Sequence, residues 1–445
     1  MALMRCSFMN VMGLAIAAMV ALLCTGYGRG EATTADPVLP PATLLVPDTD
    51  QVIATIRSLE EKVKQNPDDF IAYTKLAGYY LQRQREIGSN EYLTLAGRAA
   101  HASLTILPAE QNYSGLAMLA QTEQALHNFA AARDYAVQLT RLGPDKNIGF
   151  EILTDALLEL GEYDGARRAL DRLRSSTNKT VGIQIRLGKY ALLYGRTTEA
   201  VRYLSEALVL ALEQSPPSSE TVAWCRWQLG EIAFTSGDYA TAEQHYRDAL
   251  TTFPNFFRAL ASFARVRAAR GDHAGAIAQY EQVIRIYPDL PFVAALGDLY
   301  QLTGRKKEAV AQYALVEQIA RLNAVNGTLY NRQLSLFYAD HDRNPEDAYA
   351  NAVGEYAIRR DIYGADAVAW TALKAGRVVE AQRAITEALR FGTRDAKLWY
   401  HAGMIAAAAG DRSRARDFLV RALKLNPEFD PWQAVIARKS LKAEQ

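Results

Sequence analysis

The chain has 445 residues, 49% of them hydrophobic and 22% charged, enough apolar material to bury a large core. Lys and Arg number 50 against 49 Asp and Glu, a formal net charge of +1. That balance excludes a chain-wide field of the kind that gathers nucleic acid or an acidic membrane surface.

The first residues predict export. Arg5 is the one early charge, and the apolar run VMGLAIAAMVALL follows from Val11 to Leu23. The run has signal-peptide length and falls short of the roughly 20 residues that span a membrane. Small residues come next, at Gly26, Gly28, Gly30, Ala32 and Ala35, so residues 1–35 read as a signal peptide cleaved after Ala32 or Ala35. Cys24, preceded by Leu23, offers lipidation as an alternative, and an uncleaved segment would act as an anchor. Membrane attachment is expected only through this segment. The mature chain would be uncharged overall and would keep one cysteine, Cys225, so packing rather than a disulfide must hold it together.

Residues 36–50 carry Pro37, Pro40, Pro41 and Pro47 and predict an extended linker. From residue 51 the pattern turns helical. Ile53, Ile56, Leu59 and Val63 share one face, and Asn66-Pro67 ends the run. Beyond it the sequence repeats itself. Glycines fall at Gly161, Gly195, Gly237, Gly271, Gly304, Gly376 and Gly410, mostly 33 or 34 residues apart. Five residues after each stands an alanine (Ala166, Ala200, Ala242, Ala276, Ala309, Ala381, Ala415). Nine after each stands a larger apolar residue (Leu170, Leu204, Tyr246, Tyr280, Tyr313, Ile385, Leu419). Glycine suits a left-handed helix end, alanine lets the next helix cross closely, and the larger side chain fills the space between units. Pro254, Pro288 and Pro427 stop the second helix of three units. Ser215-Pro216-Pro217 lengthens one spacing to 42, and a spacing of 72 hides a degenerate unit with Asp340 at the glycine place. A closing helix is expected from Pro431 to Lys442.

These landmarks resemble the tetratricopeptide repeat (TPR) family. Leu229 to Pro254 carries its Leu-Gly, Gly-x-Tyr, Ala, aromatic, Ala and Pro positions in order, and Trp399 to Pro427 follows suit with Ala402-Gly403 in the Leu-Gly place. The resemblance covers most of residues 70–427. It implies an all-α, right-handed superhelical solenoid of about ten helix-turn-helix units over residues 51–445, closed by capping helices. The run from Asp361 to Ile405 is also similar to a block of bacterial TPR proteins of undefined function, which sets the expectation of an envelope location, periplasmic or secreted.

In that family the first helix of each unit lines the inside. Its exposed slots map to Arg186, Lys189, Trp224, Trp227, Gln228, Glu231, Arg258, Ser262, Arg265, Asp298, Lys397, Tyr400, His401 and Met404. The expected peptide groove rests on Arg186, Lys189, Trp227, Gln228, Glu231, Arg258, Arg265, Tyr400 and His401. Guanidinium groups and aromatic rings on a concave wall suit an acidic or C-terminal segment of a partner protein; the structural alternative is that these are ordinary packed or solvated helix residues. The two-carboxylate clamp of chaperone-binding TPR domains is missing, because its slots in the first unit hold Thr74 and Gly78. Trp370 and Trp399 are expected to pack between helices. The acidic loop Ala339–Asp347 lacks EF-hand spacing and reads as a helix-capping turn. The six histidines are scattered through separate units, and no nucleophile elbow, P-loop or dinucleotide fingerprint occurs. The expectation is therefore no catalytic residue, cofactor, metal or nucleic-acid partner. A scaffold for other proteins comes first, with a periplasmic small-molecule or glycan binding component as the alternative.

Overall fold

The computed structural model describes residues 49–325 and 332–443. The proposed signal peptide and nearly all of the linker lie outside them. Among the described residues there are 22 helices and no strands. Helix α1 (Thr49–Gln65) buries Val52 and Ile56 against the first pair and caps it. Ten helix pairs follow. Units one to three are α2 (Phe70–Ile87) with α3 (Asn90–Ile106), α4 (Tyr113–Ala125) with α5 (Phe129–Leu142), and α6 (Asn147–Leu160) with α7 (Tyr163–Arg174). Units four to six are α8 (Val181–Leu193) with α9 (Thr197–Leu212), α10 (Ser219–Thr235) with α11 (Tyr239–Thr252), and α12 (Phe257–Ala269) with α13 (His273–Ile286). Units seven and eight are α14 (Leu290–Leu302) with α15 (Lys306–Val325) and α16 (Arg332–Asp340) with α17 (Pro345–Tyr356). Units nine and ten are α18 (Ile362–Lys374) with α19 (Val378–Ala388) and α20 (Ala396–Ala408) with α21 (Arg412–Leu425). Helix α22 (Gln433–Ala443) packs on unit ten through Ala434 and Ala437, as the closing helix was expected to do.

The repeat slots explain the packing. All seven alanines five residues past a glycine are fully buried, and the larger residues nine past it are buried between units. Most pairs start at a side-chain cap, among them Asp69, Asn112, Thr180, Ser218 and Asp395, each bonded to a backbone N–H of the first turn. Such a cap stabilises a helix by about 1 kcal/mol. The degenerate unit departs from expectation. Asp340 is the last residue of α16, and the left-handed place belongs to Asp342 (φ 52°), followed by a second left-handed residue, Asn344 (φ 42°). One inserted residue therefore restores the register, so that Ala348 is still fully buried.

The solenoid touches itself. The Arg360 N–H donates to Leu160 O at 3.2 Å, and the Ile362 N–H donates to the Tyr163 hydroxyl at 2.9 Å. Arg359 pairs with Glu159 at 2.6 Å, and the Thr393 hydroxyl donates to Leu193 O at 2.6 Å. The Phe391 ring lies 4.8 Å from Tyr163 and 4.7 Å from Tyr194. Asn426 donates to Phe234 O at 2.8 Å and accepts from the Tyr239 hydroxyl at 2.5 Å. Unit three thus meets the segment before unit nine, unit four the segment before unit ten, and unit five the segment after unit ten. The Gly88 turn of unit one likewise abuts Tyr287, just before unit seven. Six units make one turn, and successive turns stack edge to edge.

This stacking sorts the glycine turns. A Cβ on Gly161 (φ 75°) would lie 2.1 Å from Arg360 O, whereas one on Gly410 (φ 80°) would meet nothing within 4 Å. Gly271, Gly304 and Gly376 are open in the same way, because no described residue lies over them.

Candidate functional site: the inner wall between stacked turns

First helices supply the inner wall. Three cavities open on it. The largest of the three, of about 340 Å3, is lined from α12, α14, α16 and α20, from Tyr280 of α13, and from Phe429 and Asp430. A second of about 250 Å3 lies between Lys189, Leu192 and Gln228 on one turn and Arg332, Asp361 and Tyr363 on the next. A third of about 130 Å3 shares Leu192, Gln228 and Tyr363 with it and adds Thr393, Arg394 and Asp395.

The structure divides the expected groove residues into three groups. The first is consumed by internal ion pairs. Arg186 pairs with Glu151 at 3.0 Å and Asp155 at 2.7 Å and also donates to Glu151 O and Gly182 O. Arg265 donates one Nη to both oxygens of Glu231 at 2.8 and 2.7 Å and lies over the Phe234 ring. Glu231 also accepts from the Tyr246 and Ser262 hydroxyls, each at 2.7 Å, and Ser262 accepts in turn from Trp227 Nε1 at 2.9 Å. Burial raises the Glu231 carboxyl, but Arg265 and these hydrogen bonds outweigh it and hold the carboxyl below its ordinary range. Arg186, Trp227, Glu231 and Arg265 therefore hold the wall together.

The second group sits behind the wall. Tyr400 and His401 are buried in the core of units nine and ten. The His401 ring stacks on Trp370 at 4.2 Å, its Nδ1 bonds Asp366 at 2.8 Å, and the Tyr400 hydroxyl donates to Gln433, the first residue of α22, at 2.5 Å. This corrects their assignment to an exposed groove: the closing helix and unit nine cover them. Trp370 packs as expected and donates to Asp340 at 2.8 Å. Trp399 lies half-buried against Phe418 and Arg421.

The third group faces the lumen. Gln228 lines both smaller cavities, and Lys189 reaches Asp155 only at 3.7 Å and stays half exposed. Arg258 lies over the Phe257 and Trp227 rings at 4.6 and 6.0 Å, and burial lowers its pKa. Tyr363, absent from the expected groove, projects into the same two cavities and is 43% exposed. Its signal in the sequence is absent, because it faces a neighbour six units away.

Lys397 bonds Asp340 at 2.9 Å, and Asp298 accepts from the Tyr313 hydroxyl at 2.8 Å and from His341 Nε2 at 2.7 Å. His341 Nδ1 donates to Phe337 O at 2.7 Å, so both ring nitrogens face acceptors. Burial pulls its pKa down, yet the Asp298 bond and charge outweigh that and raise it. In the acidic loop, Asp342 pairs with Lys374, and Asn344 precedes α17 without a side-chain capping bond, so the turn is solvated but not capped as expected. Among the described residues no group of three His, Cys, Asp or Glu is placed to hold a metal ion, and no helix is long and apolar enough to cross a membrane.

Models of the Tetratricopeptide repeat match residues 117–179, 180–255, 228–291 and 396–429. A curated relative, the Probable biofilm formation methyltransferase WspC of Pseudomonas putida, is 39% identical over 88 residues, which is 20% of this chain and 18% of that protein. The chain thus spans less than a fifth of that relative. Among solved structures, the yeast Tom70 is 12% identical, with 89% of this chain and 93% of that one covered and a TM-score of 0.35. Cut9–Hcn1 of the APC/C is 14% identical over the same shares with a TM-score of 0.33, and MamA is 23% identical over 39% of this chain and 96% of that one with a TM-score of 0.31.

Proposed function

Because the chain is a tetratricopeptide-repeat protein, a class that serves protein–protein interaction, we propose that it is a non-catalytic scaffold of the bacterial cell envelope that holds a peptide segment of another protein against the inner wall of its superhelix. The observation that carries this reading is the pair of adjoining cavities that share Leu192, Gln228 and Tyr363. They combine an apolar floor with hydrogen-bonding groups, the composition of a peptide site. Since successive turns stack, a segment enters this lumen along the axis or through a parted seam rather than across an open rim. Export rests on the apolar run from Val11 to Leu23 and the small residues after it.

The test replaces Lys189, Gln228 and Tyr363 together by alanine, leaving the Arg186 and Arg265 ion pairs of the wall intact. Envelope proteins captured by the full chain should fall away while the helical circular dichroism stays unchanged. Equal recovery of the same partners would overturn the reading. The two tyrosines in the wall of the 250 Å3 cavity, Tyr163 and Tyr363, favour a second reading, a small-molecule or glycan component. In that case the capture would be unaffected, and a soluble envelope ligand would be released on denaturing the wild-type chain but not the triple variant.

A further inference from the structure

The largest cavity has a charge ledger that does not close. Its two cations are both matched: Arg265 by Glu231 and Lys397 by Asp340. Of its carboxylates, Asp340 has Lys397 and Asp298 has His341. Asp430 has no ion pair with any described residue. One of its oxygens accepts the N–H groups of Trp432 and Gln433 at the start of α22, and the other bonds no described residue. Burial, together with the charges of Asp298 and Asp340, raises its pKa against the opposing pull of Lys397.

A second observation is independent of the acids. Tyr280 is 5% exposed and lines the same cavity, and its hydroxyl bonds no described residue. The ring is buried while the hydroxyl opens on the cavity, where a bound group can reach it. Gln333 adds an amide that bonds no described residue, and the Phe292 and Phe429 rings add faces.

We propose that this cavity is a binding site for a basic side chain, lysine or arginine, of a bound polypeptide: Asp430 takes the charge, the Tyr280 hydroxyl and Gln333 amide oxygen accept its N–H groups, and Phe292 and Phe429 flank its alkyl stem. A cation placed there supplies the missing countercharge and leaves no acceptor bare. The site deepens the peptide reading above and rests on it. It also reverses the preference for acidic segments expected from Arg186 and Arg265, whose charges are already met inside the wall.

The experiment titrates the full chain with blocked pentapeptides Ac-Gly-Ala-X-Ala-Gly-amide, where X is lysine, norleucine or glutamate, and with free 1,5-diaminopentane. The lysine peptide should bind about tenfold tighter than the other two. Asp430→Asn, which keeps an oxygen to cap α22, should erase that preference at unchanged melting temperature, and Tyr280→Phe should weaken it. Equal binding of lysine and norleucine peptides, or an unmoved preference in Asp430→Asn, overturns the site. Tighter binding of the glutamate peptide overturns it while leaving the peptide scaffold standing. Binding of the free diamine without the peptide shows a small-amine site and overturns the polypeptide assignment. Loss of envelope partners in the Lys189, Gln228 and Tyr363 variant is read separately, so the two ideas fail apart.

Discussion

Gly161→Ala is expected to destabilise the protein by about 2–4 kcal/mol, and Gly410→Ala by only about 1 kcal/mol. Both glycines have a positive φ, so any side chain strains the backbone at either place. The difference is what the new methyl meets. At Gly161 it would lie 2.1 Å from Arg360 O and 2.3 Å from the Arg360 carbonyl carbon, both backbone atoms, so the second turn must move off the first. That movement breaks the Arg360–Leu160 hydrogen bond and shifts Ile362 away from the Tyr163 hydroxyl. At Gly410 the methyl points to open space. Thermal and urea unfolding of the two variants side by side measures the gap. Equal losses would mean that the turns do not press on one another.

Arg332→Ala is expected to cost about 3–5 kcal/mol, the usual effect of stripping one partner from a buried ion cluster. Arg332 pairs with Asp361 at 2.6 Å and Glu355 at 2.9 Å; Arg359 joins Glu355 to Glu159 on the turn below. The side chains of Glu355 and Asp361 are 5% and 7% exposed. Without Arg332 the three acids Glu159, Glu355 and Asp361 share one guanidinium, and a buried carboxylate is left unmatched. Asp361 also caps α18 by accepting from the Tyr363 and Gly364 N–H groups. Asp361→Asn keeps an acceptor oxygen there, so the double variant should lose less than the sum of the singles by about 1–2 kcal/mol. Strict additivity would show that the pair is not coupled.

How much of this was legible follows from the range of the interactions. The helix pairs were readable because their determinants are local: a glycine, an alanine five residues on, a filler nine on and a cap, all within one unit. The degenerate unit slipped because its left-handed place is held by Asp342 rather than glycine and its buried alanine, Ala348, stands six residues on instead of five. Six of the groove residues, Arg186, Trp227, Glu231, Arg265, Tyr400 and His401, were mapped to the right helices but given the wrong state. Arg186 and Arg265 read as free cations when each repeat is taken alone. Their acids, Glu151 and Glu231, occupy nearly the same slot one repeat earlier, 35 and 34 residues back, and that spacing was present in the sequence. The seam was not legible. Gly161 and Gly410 fill the same repeat position, and only the small rotation from unit to unit, summed over six of them, decides which turn is covered. Asp430 and Tyr363 owe their roles to the same long-range closure.

Amide exchange at Arg360 and Ile362 in the full chain tests the closure most directly. Neither N–H has a partner within its own helix, since Arg360 precedes α18 and Ile362 is its first residue. The stacked arrangement predicts strong protection of both, lost in Gly161→Ala while the amides of α10 and α11 stay protected. Exchange of Arg360 and Ile362 at the rate of an open chain in the wild-type protein would contradict it.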